Sequence, residues 1–310
     1  MTPSETTGFV LGTLAVLFWS PHYYATVYAV AGETPLLVFY LHVLAWAAIA
    51  CGVVLAATGR LDQLSVFKRR ETRFLLLALT GGYGFWMLRA LALDRAGDAP
   101  FHAHILFYTA PLLLGVLTLP RRGGARWKQI GALALGFVGS IMIIAPPGGE
   151  QVQSLLPVFG VGILGVGAAL CWAVFCLLAR PLVRKEKVLP SSFIIWTAGT
   201  ACLLATCLST GENPLNIAFR DVWLSMLLGA GTVALGFGVW LKCLAEVTPS
   251  FAAPLWYISL VFGIGWAHWM ADVRPGWLTV GGVVLILLFA RSGRSRDRRH
   301  SMTLSDVIRG

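Results

Sequence analysis

The sequence predicts an all-α membrane protein of ten transmembrane helices, built as two inverted five-helix repeats with both termini in the cytoplasm, and three observations lead there. The first is composition: 57% of the residues are hydrophobic and 12% charged, with a mean hydropathy of +0.76, against about 45–50% and 25% in an average soluble domain. The second is an internal echo. Ala99–Tyr108 reads APFHAHILFY and Thr248–Tyr257 reads TPSFAAPLWY, so that Pro100, Ala103, Leu106 and Tyr108 fall on Pro249, Ala252, Leu255 and Tyr257 at a constant offset of 149. Kept gapless, the same offset sets Leu79 and Gly82 on Leu228 and Gly231, the mark of a repeated unit. The third is the distribution of basic residues.

A spanning helix needs about 20 mostly apolar residues, so a chain of 310 with short connections holds about ten. The apolar runs place them at 8–29, 35–57, 74–93, 100–119, 127–145, 157–179, 191–209, 222–243, 250–271 and 276–290. The first run has no basic segment ahead of it and is longer than a signal core, so a cleaved leader is not expected. The clearest break is Ala145-Pro146-Pro147-Gly148-Gly149-Glu150, a turn-rich linker. The chain therefore divides into a first repeat at 1–145, an outer linker at 146–156, a second repeat at 157–290 and a basic tail at 291–310. Five spans per half make the second copy enter from the opposite side, which inverts the repeat. The tail lacks a sustained apolar face and is expected to be disordered or to lie near anionic lipid.

With both ends inside, Arg60, Lys68, Arg69, Arg70 and Arg73 fall on the cytoplasmic side, as do Arg121, Arg122, Arg126 and Lys128. Arg180, Arg184, Lys185, Lys187, Lys242 and the arginines from Arg291 to Arg309 join them, leaving only Arg95, Arg220 and Arg274 outside. This asymmetry is the orientation signal of a multi-pass protein. The net charge of +10 is thereby accounted for without a nucleic-acid partner.

Polar and aromatic residues inside the spans mark the candidate site. In the first span Trp19-Ser20-Pro21-His22 carries a proline that removes a backbone donor and frees the carbonyl of Leu17, which is tolerated only when buried or facing a cavity. Its counterpart in the second half is Val161–Ala179, with Trp172 in the place of Trp19, and the Gly160, Gly162, Gly165, Gly167 series reads as close helix packing. His42 lies on the outer side of the second span's centre. In the third span Tyr83, Trp86 and Ala90 share a helical face with Arg89 at its edge. An arginine there costs at least about 2.5 kcal/mol on insertion scales, so it either faces a cavity or snorkels to the outer surface. Pro100 and Thr248-Pro249 open the fourth and ninth spans at positions where a missing donor costs nothing, whereas Pro111 and Pro254 should interrupt those helices. Two broken helices at related places point to a transport site. His104 and Tyr108 from the fourth span, with Trp240, Trp256 and Tyr257 from the second half, complete the expected substrate-binding set.

Several chemistries lack residues. Cys51, Cys171, Cys176, Cys202, Cys207 and Cys243 sit in apolar runs without C-x-x-C spacing and read as buried thiols. His102 and His104 point about 200° apart on a helix and cannot close on one ion alone. Nucleophile-elbow, zinc-hydrolase, Walker and dinucleotide motifs are missing, so no cofactor, metal or covalent step is expected. The acidic residues fall in loops or at helix ends, which leaves the midplane without the carboxylate that a proton-coupled carrier of cationic drugs uses. Arg89 with His22, His42 and His104 among Trp and Tyr suits instead a ligand with a carboxylate and an apolar body.

Ten spans, the five-plus-five repeat, Phe18-Trp19-Ser20, Ala90-Leu91 and Tyr108-x-x-Pro111 together resemble the drug/metabolite transporter superfamily in its EamA-type exporter branch, over residues 8–290. The resemblance implies a bacterial inner-membrane carrier working by alternating access, exporting amino acids or related metabolites through a cavity between the halves. Relatives carry an arginine near the position of His42, and the aromatic amino acid exporters carry Tyr-x-Trp-Pro where this chain reads Tyr108-Thr109-Ala110-Pro111. Only Tyr108 and Pro111 carry over. The expected partners are a small-molecule substrate and the lipid bilayer, with the chain a monomer or homodimer. An importer or a lipid-linked solute translocator would have the same topology, and a membrane-embedded enzyme would need convergent polar groups not evident in the sequence. The orientation is open to direct measurement: a reporter fused after Arg291 should read as cytoplasmic, and a periplasmic reading would reverse the assignment.

Overall fold

A computed structural model describes residues 3–22, 25–26, 32–65, 67, 71–97, 100–118, 124–144, 159–183, 188–271 and 275–292. The linker from 145 to 156, the tail beyond 292 and the side chain of His102 lie outside the described residues. Every regular element described is helical. In chain order they are α1 (Pro3–Trp19), α2 (Leu36–Ala57), a short 3₁₀ turn (Leu61–Ser65), α3 (Glu71–Ala96), α4 in two pieces (Pro100–Phe107 and Ala110–Leu117) and α5 (Gly124–Ile144). The second half follows with α6 (Phe159–Val183), α7 (Val188–Thr210), α8 (Phe219–Glu246), α9 (Pro249–Ala271) and α10 (Trp277–Ser292). Among the described residues, five helical stretches are long and apolar enough to cross a membrane: Leu36–Ala57, Glu71–Ala96, Gly160–Pro181, Val188–Thr210 and Phe219–Glu246. Shorter apolar helices are Ala103–Leu117, Gln129–Ile144 and Trp277–Leu288. Leucines and valines such as Val53, Leu208 and Leu227 remain exposed, as expected of helices that are apolar all round.

Helix packing pairs each half with the other. α1 rests on α8 and α9, α6 on α3 and α4, α2 on α7 and α8, α7 on α2 and α3, and α5 on α10. Shifting both helix numbers of a pair by five, counted around ten, gives a pair that is also in the set. Glycines set the closest approaches. A side chain at Gly199 of α7 would overlap the backbone of Gly82 in α3, and one at Gly229 of α8 would overlap the Val43 carbonyl of α2. Gly139 of α5 and Gly282 of α10 face each other's carbonyls in the same way.

Two features depart from straight α-helices. Both α3 and α8 contain a π-helical stretch, Ala78–Gly84 and Leu228–Gly236, in which the Phe85 amide bonds the Thr80 carbonyl and the Phe237 amide the Thr232 carbonyl. The offset of 149 carries Leu79 onto Leu228, so the wide turns occupy corresponding places. Each is glycine-rich, and a wide turn re-aims the side chains that follow it. The second departure concerns the prolines. α1 ends at Trp19 and α4 breaks between Phe107 and Ala110, as Pro21 and Pro111 require. Pro254, by contrast, lies inside a continuous α9. The carbonyl it deprives of a partner belongs to Ser250, and Gln129 of α5 donates its side-chain amide to that oxygen at 3.3 Å, which removes the need for a break.

The Gly82–Gly199 crossing gives a quantitative test. Gly199→Ala should lower stability by ~1–3 kcal/mol through overpacking, read as a fall in thermal unfolding temperature. Gly131→Ala, where an added methyl meets nothing within 4 Å, should leave it unchanged or raise it.

Candidate functional site

Arg89 lies on α3 one turn past the π-helical stretch and is only 6% exposed. It does not snorkel. Its Nε donates to the Tyr40 hydroxyl of α2 at 2.9 Å, and Nη2 lies 3.2 Å from His104 Nε2 on the first piece of α4. A guanidinium can only donate, so His104 accepts at Nε2 and carries its proton on Nδ1. The Phe107 ring covers the cation at 4.4 Å and Phe85 stands 5.9 Å away, which supplies quadrupole attraction but no negative charge. Arg220 pairs with Asp221 at 3.2 Å, well away in sequence from Arg89. Asp94 is exposed at the end of α3, and Asp98 lies outside the described residues. Arg89 is therefore a buried cation held by neutral groups, an arrangement that costs free energy unless a counter-charge arrives.

The break in α1 brings His22 to the same place. Ser20 Oγ donates to the Leu17 carbonyl at 2.6 Å and accepts from Trp266 Nε1 at 2.8 Å, so the turn is fixed by hydrogen bonds rather than left frayed. The imidazole of His22 then sits 5.6 Å from the Trp86 ring and 6.3 Å from Tyr40. Neither of its buried ring nitrogens has a hydrogen-bond partner among the described residues. Thr26 Oγ1 closes this corner, donating to the His22 carbonyl at 2.7 Å with the Tyr40 hydroxyl 3.4 Å away.

Behind the cation stands an aromatic wall shared by the halves. Trp19 packs against Phe237, Trp240 and Trp256 at 4.9, 5.0 and 5.2 Å and meets Trp172 edge-on at 5.8 Å. Trp86 and Trp196 join it through Phe237. Trp240 donates to Cys176 Sγ at 3.4 Å. The buried indole nitrogens of Trp19, Trp86, Trp172 and Trp196 have no acceptor among the described residues. Buried polar groups are ordinarily satisfied, so these four unused N–H donors set the aromatic wall apart. Tyr108 faces Tyr257 with ring centroids 6.5 Å apart, and its hydroxyl lies 3.2 Å from Ser259 Oγ. The two tyrosines paired by the sequence offset thus stack on one another.

Eleven of the thirteen expected site residues belong to this assembly or its hydrogen-bonded edge. Two do not. His42 bonds the Pro214 carbonyl through Nε2 at 2.9 Å, fastening the 211–218 connection to α2. Tyr83 bonds Thr206 Oγ1 at 2.9 Å, because the wide turn at Ala78–Gly84 breaks the 100° phase that would have set it beside Trp86. The sequence reading missed Tyr40, Phe107, Phe237 and Ser259. Tyr40 is 49 residues from Arg89, and no local spacing signals their contact. Asp221 was expected at a helix end and is there, in the first turn of α8, but it is fully buried and accepts from Thr34 Oγ1 at 2.6 Å. Thr34 Oγ1 also accepts the Ala218 amide at 3.0 Å, a second tie between the halves.

Comparison with known proteins bears on these elements directly. Residues 160–290 match the model of the EamA-like transporter family. That stretch contains Trp172, Trp196, Phe237, Trp240, Trp256, Tyr257 and Ser259, whereas Arg89, Tyr40, His22 and His104 come from the half outside the matched residues. The "Uncharacterized inner membrane transporter YhbE" of Escherichia coli K12 is 26% identical over 259 residues, covering 78% of this chain and 76% of the relative. Proteins of the same name from Escherichia coli O157:H7 and Shigella flexneri match equally well. A solved crystal structure superposes with a TM-score of 0.73 at 19% identity, covering 94% of this chain and 99% of the other, which establishes the shared fold. The resemblance to the EamA-type drug/metabolite transporters is thus borne out.

Proposed function

We propose that this EamA-like protein is a secondary carrier of the bacterial inner membrane. It exports a small organic solute bearing a carboxylate on an apolar body, aromatic amino acids and related metabolites included, by alternating access. The observation that carries this reading is Arg89, buried without a carboxylate partner among the described residues and bonded to Tyr40 and His104. A buried guanidinium without an acid beside it favours an anionic ligand, and a planar fork of N–H groups matches a carboxylate better than a point charge would. The aromatic wall supplies the apolar complement.

In this reading the ten helices form two inverted five-helix repeats with both termini in the cytoplasm. The reciprocal packing of α1 with α8 and of α6 with α3 supports it, as do the matching wide turns in α3 and α8. The Trp19–Trp172 and Tyr108–Tyr257 contacts lie where two related halves would meet. Separation of the halves on one side and then the other would expose Arg89 alternately, the usual working of repeat-built carriers. The inner-membrane assignment follows the relatives' description, and no step requires a cofactor.

A screen of carboxylate-bearing solutes in proteoliposomes identifies the substrate, and variants then test the site. Arg89→Ala should weaken substrate affinity by about 10- to 150-fold, the loss of a charge-assisted hydrogen bond of ~1.5–3 kcal/mol. Arg89→Lys should fall between, keeping charge and losing the fork. Transport is normalised to monodisperse protein in the vesicles. Unchanged transport per folded molecule in Arg89→Ala would remove the site from this arginine.

A further inference from the structure

A cavity of about 860 Å³ lies between the connection after α2, the start of α7 and the second half of α8. Gly238 of α8 and Ser192 of α7 both line it.

Three properties define what it would hold. Ser192 is 1% exposed, and its hydroxyl has no partner among the described residues. The wall at Leu235 is 48% exposed and continues the outward-facing stripe of Trp223 and Leu227 on α8, so the cavity opens sideways towards acyl chains. Its rim carries Arg60 and Lys242 against a single acid, Glu246, all exposed, for a net positive charge. Basic residues at a membrane surface attract anionic headgroups.

We propose that this cavity binds an anionic phospholipid of the leaflet in which Arg60 and Lys242 lie, the cytoplasmic one in the orientation above. The phosphate sits at the cationic rim, an ester carbonyl accepts from Ser192, and an acyl chain runs along Leu235 and Val239. The assignment is separate from the solute site at Arg89 and stands without it.

The test uses the full chain in phosphatidylcholine nanodiscs containing phosphatidylglycerol, with retained lipid read by native mass spectrometry. The wild type should retain phosphatidylglycerol at least about tenfold over phosphatidylcholine, one decade in binding constant. Gly238→Leu fills the cavity where an added side chain meets nothing within 4 Å, and it favours the helix, so the variant should fold and lose the retained lipid. The double variant Arg60→Gln/Lys242→Gln should keep a lipid but lose the preference for phosphatidylglycerol. Excess glycerol phosphate or indole-3-acetate should leave the bound lipid in place. Retention of phosphatidylglycerol by Gly238→Leu at the wild-type level would overturn the proposal, as would a wild type with no headgroup preference. Displacement by glycerol phosphate would make the site one for a soluble phosphate, and displacement by indole-3-acetate would make it an inner station of the solute path; either result overturns the lipid assignment.

Discussion

The contact on which the centre of this protein depends is the one between Arg89 and its neutral partners, Tyr40 and His104. A guanidinium at that depth is expensive in a lipid-embedded bundle, and most buried cations are repaid by an acid. Here the repayment is partial: two hydrogen bonds and the face of Phe107. Three helices, α2, α3 and α4, are tied together by that one side chain, and the break in α1 at Ser20-Pro21 brings His22 beside it. The unused indole nitrogens of the aromatic wall add donors rather than acceptors.

Small residues make this geometry possible. Gly82 and Gly199 let α3 and α7 touch backbone to backbone, and Gly229 does the same for α8 against α2. Close packing of this kind drives association where lipid provides no hydrophobic force between helices. The wide turns of α3 and α8 precede Phe85, Trp86 and Arg89 in one helix and Phe237, Gly238 and Trp240 in the other.

Much of this was legible in the sequence, and the reasons are specific. Apolar runs and glycine or proline punctuation fix where helices fall, since length and hydropathy decide membrane insertion. Pro21 and Pro111 coincide with breaks after Trp19 and Phe107, and at the first Ser20 Oγ caps the Leu17 carbonyl that the proline frees. Pro254 marks none because Gln129, 125 residues away in the chain, reaches the Ser250 carbonyl. The phase of Tyr83 was misread for a related reason: a π-helical stretch leaves no residue signature beyond glycines that also occur in plain helices. Arg89, His22 and His104 stood out as polar residues in apolar runs, whereas Tyr40, Phe107 and Phe237 resembled any membrane-helix aromatic. His42 looked like a member of the site and instead secures the 211–218 connection. Long-range contacts of this sort leave no local spacing to read.

The EamA-like match covers the half that supplies most of the aromatic wall, while the cation comes from the half beyond it. The central claim therefore rests on Arg89 itself. It is tested most directly by an electron cryo-microscopy structure of the protein in a lipid nanodisc, at a resolution that places side chains. The account predicts Arg89 between Tyr40 and His104, with a non-protein anion or water at its free N–H groups and no carboxylate side chain within about 4 Å. Density showing Asp94 or Asp98 paired with the guanidinium would contradict it.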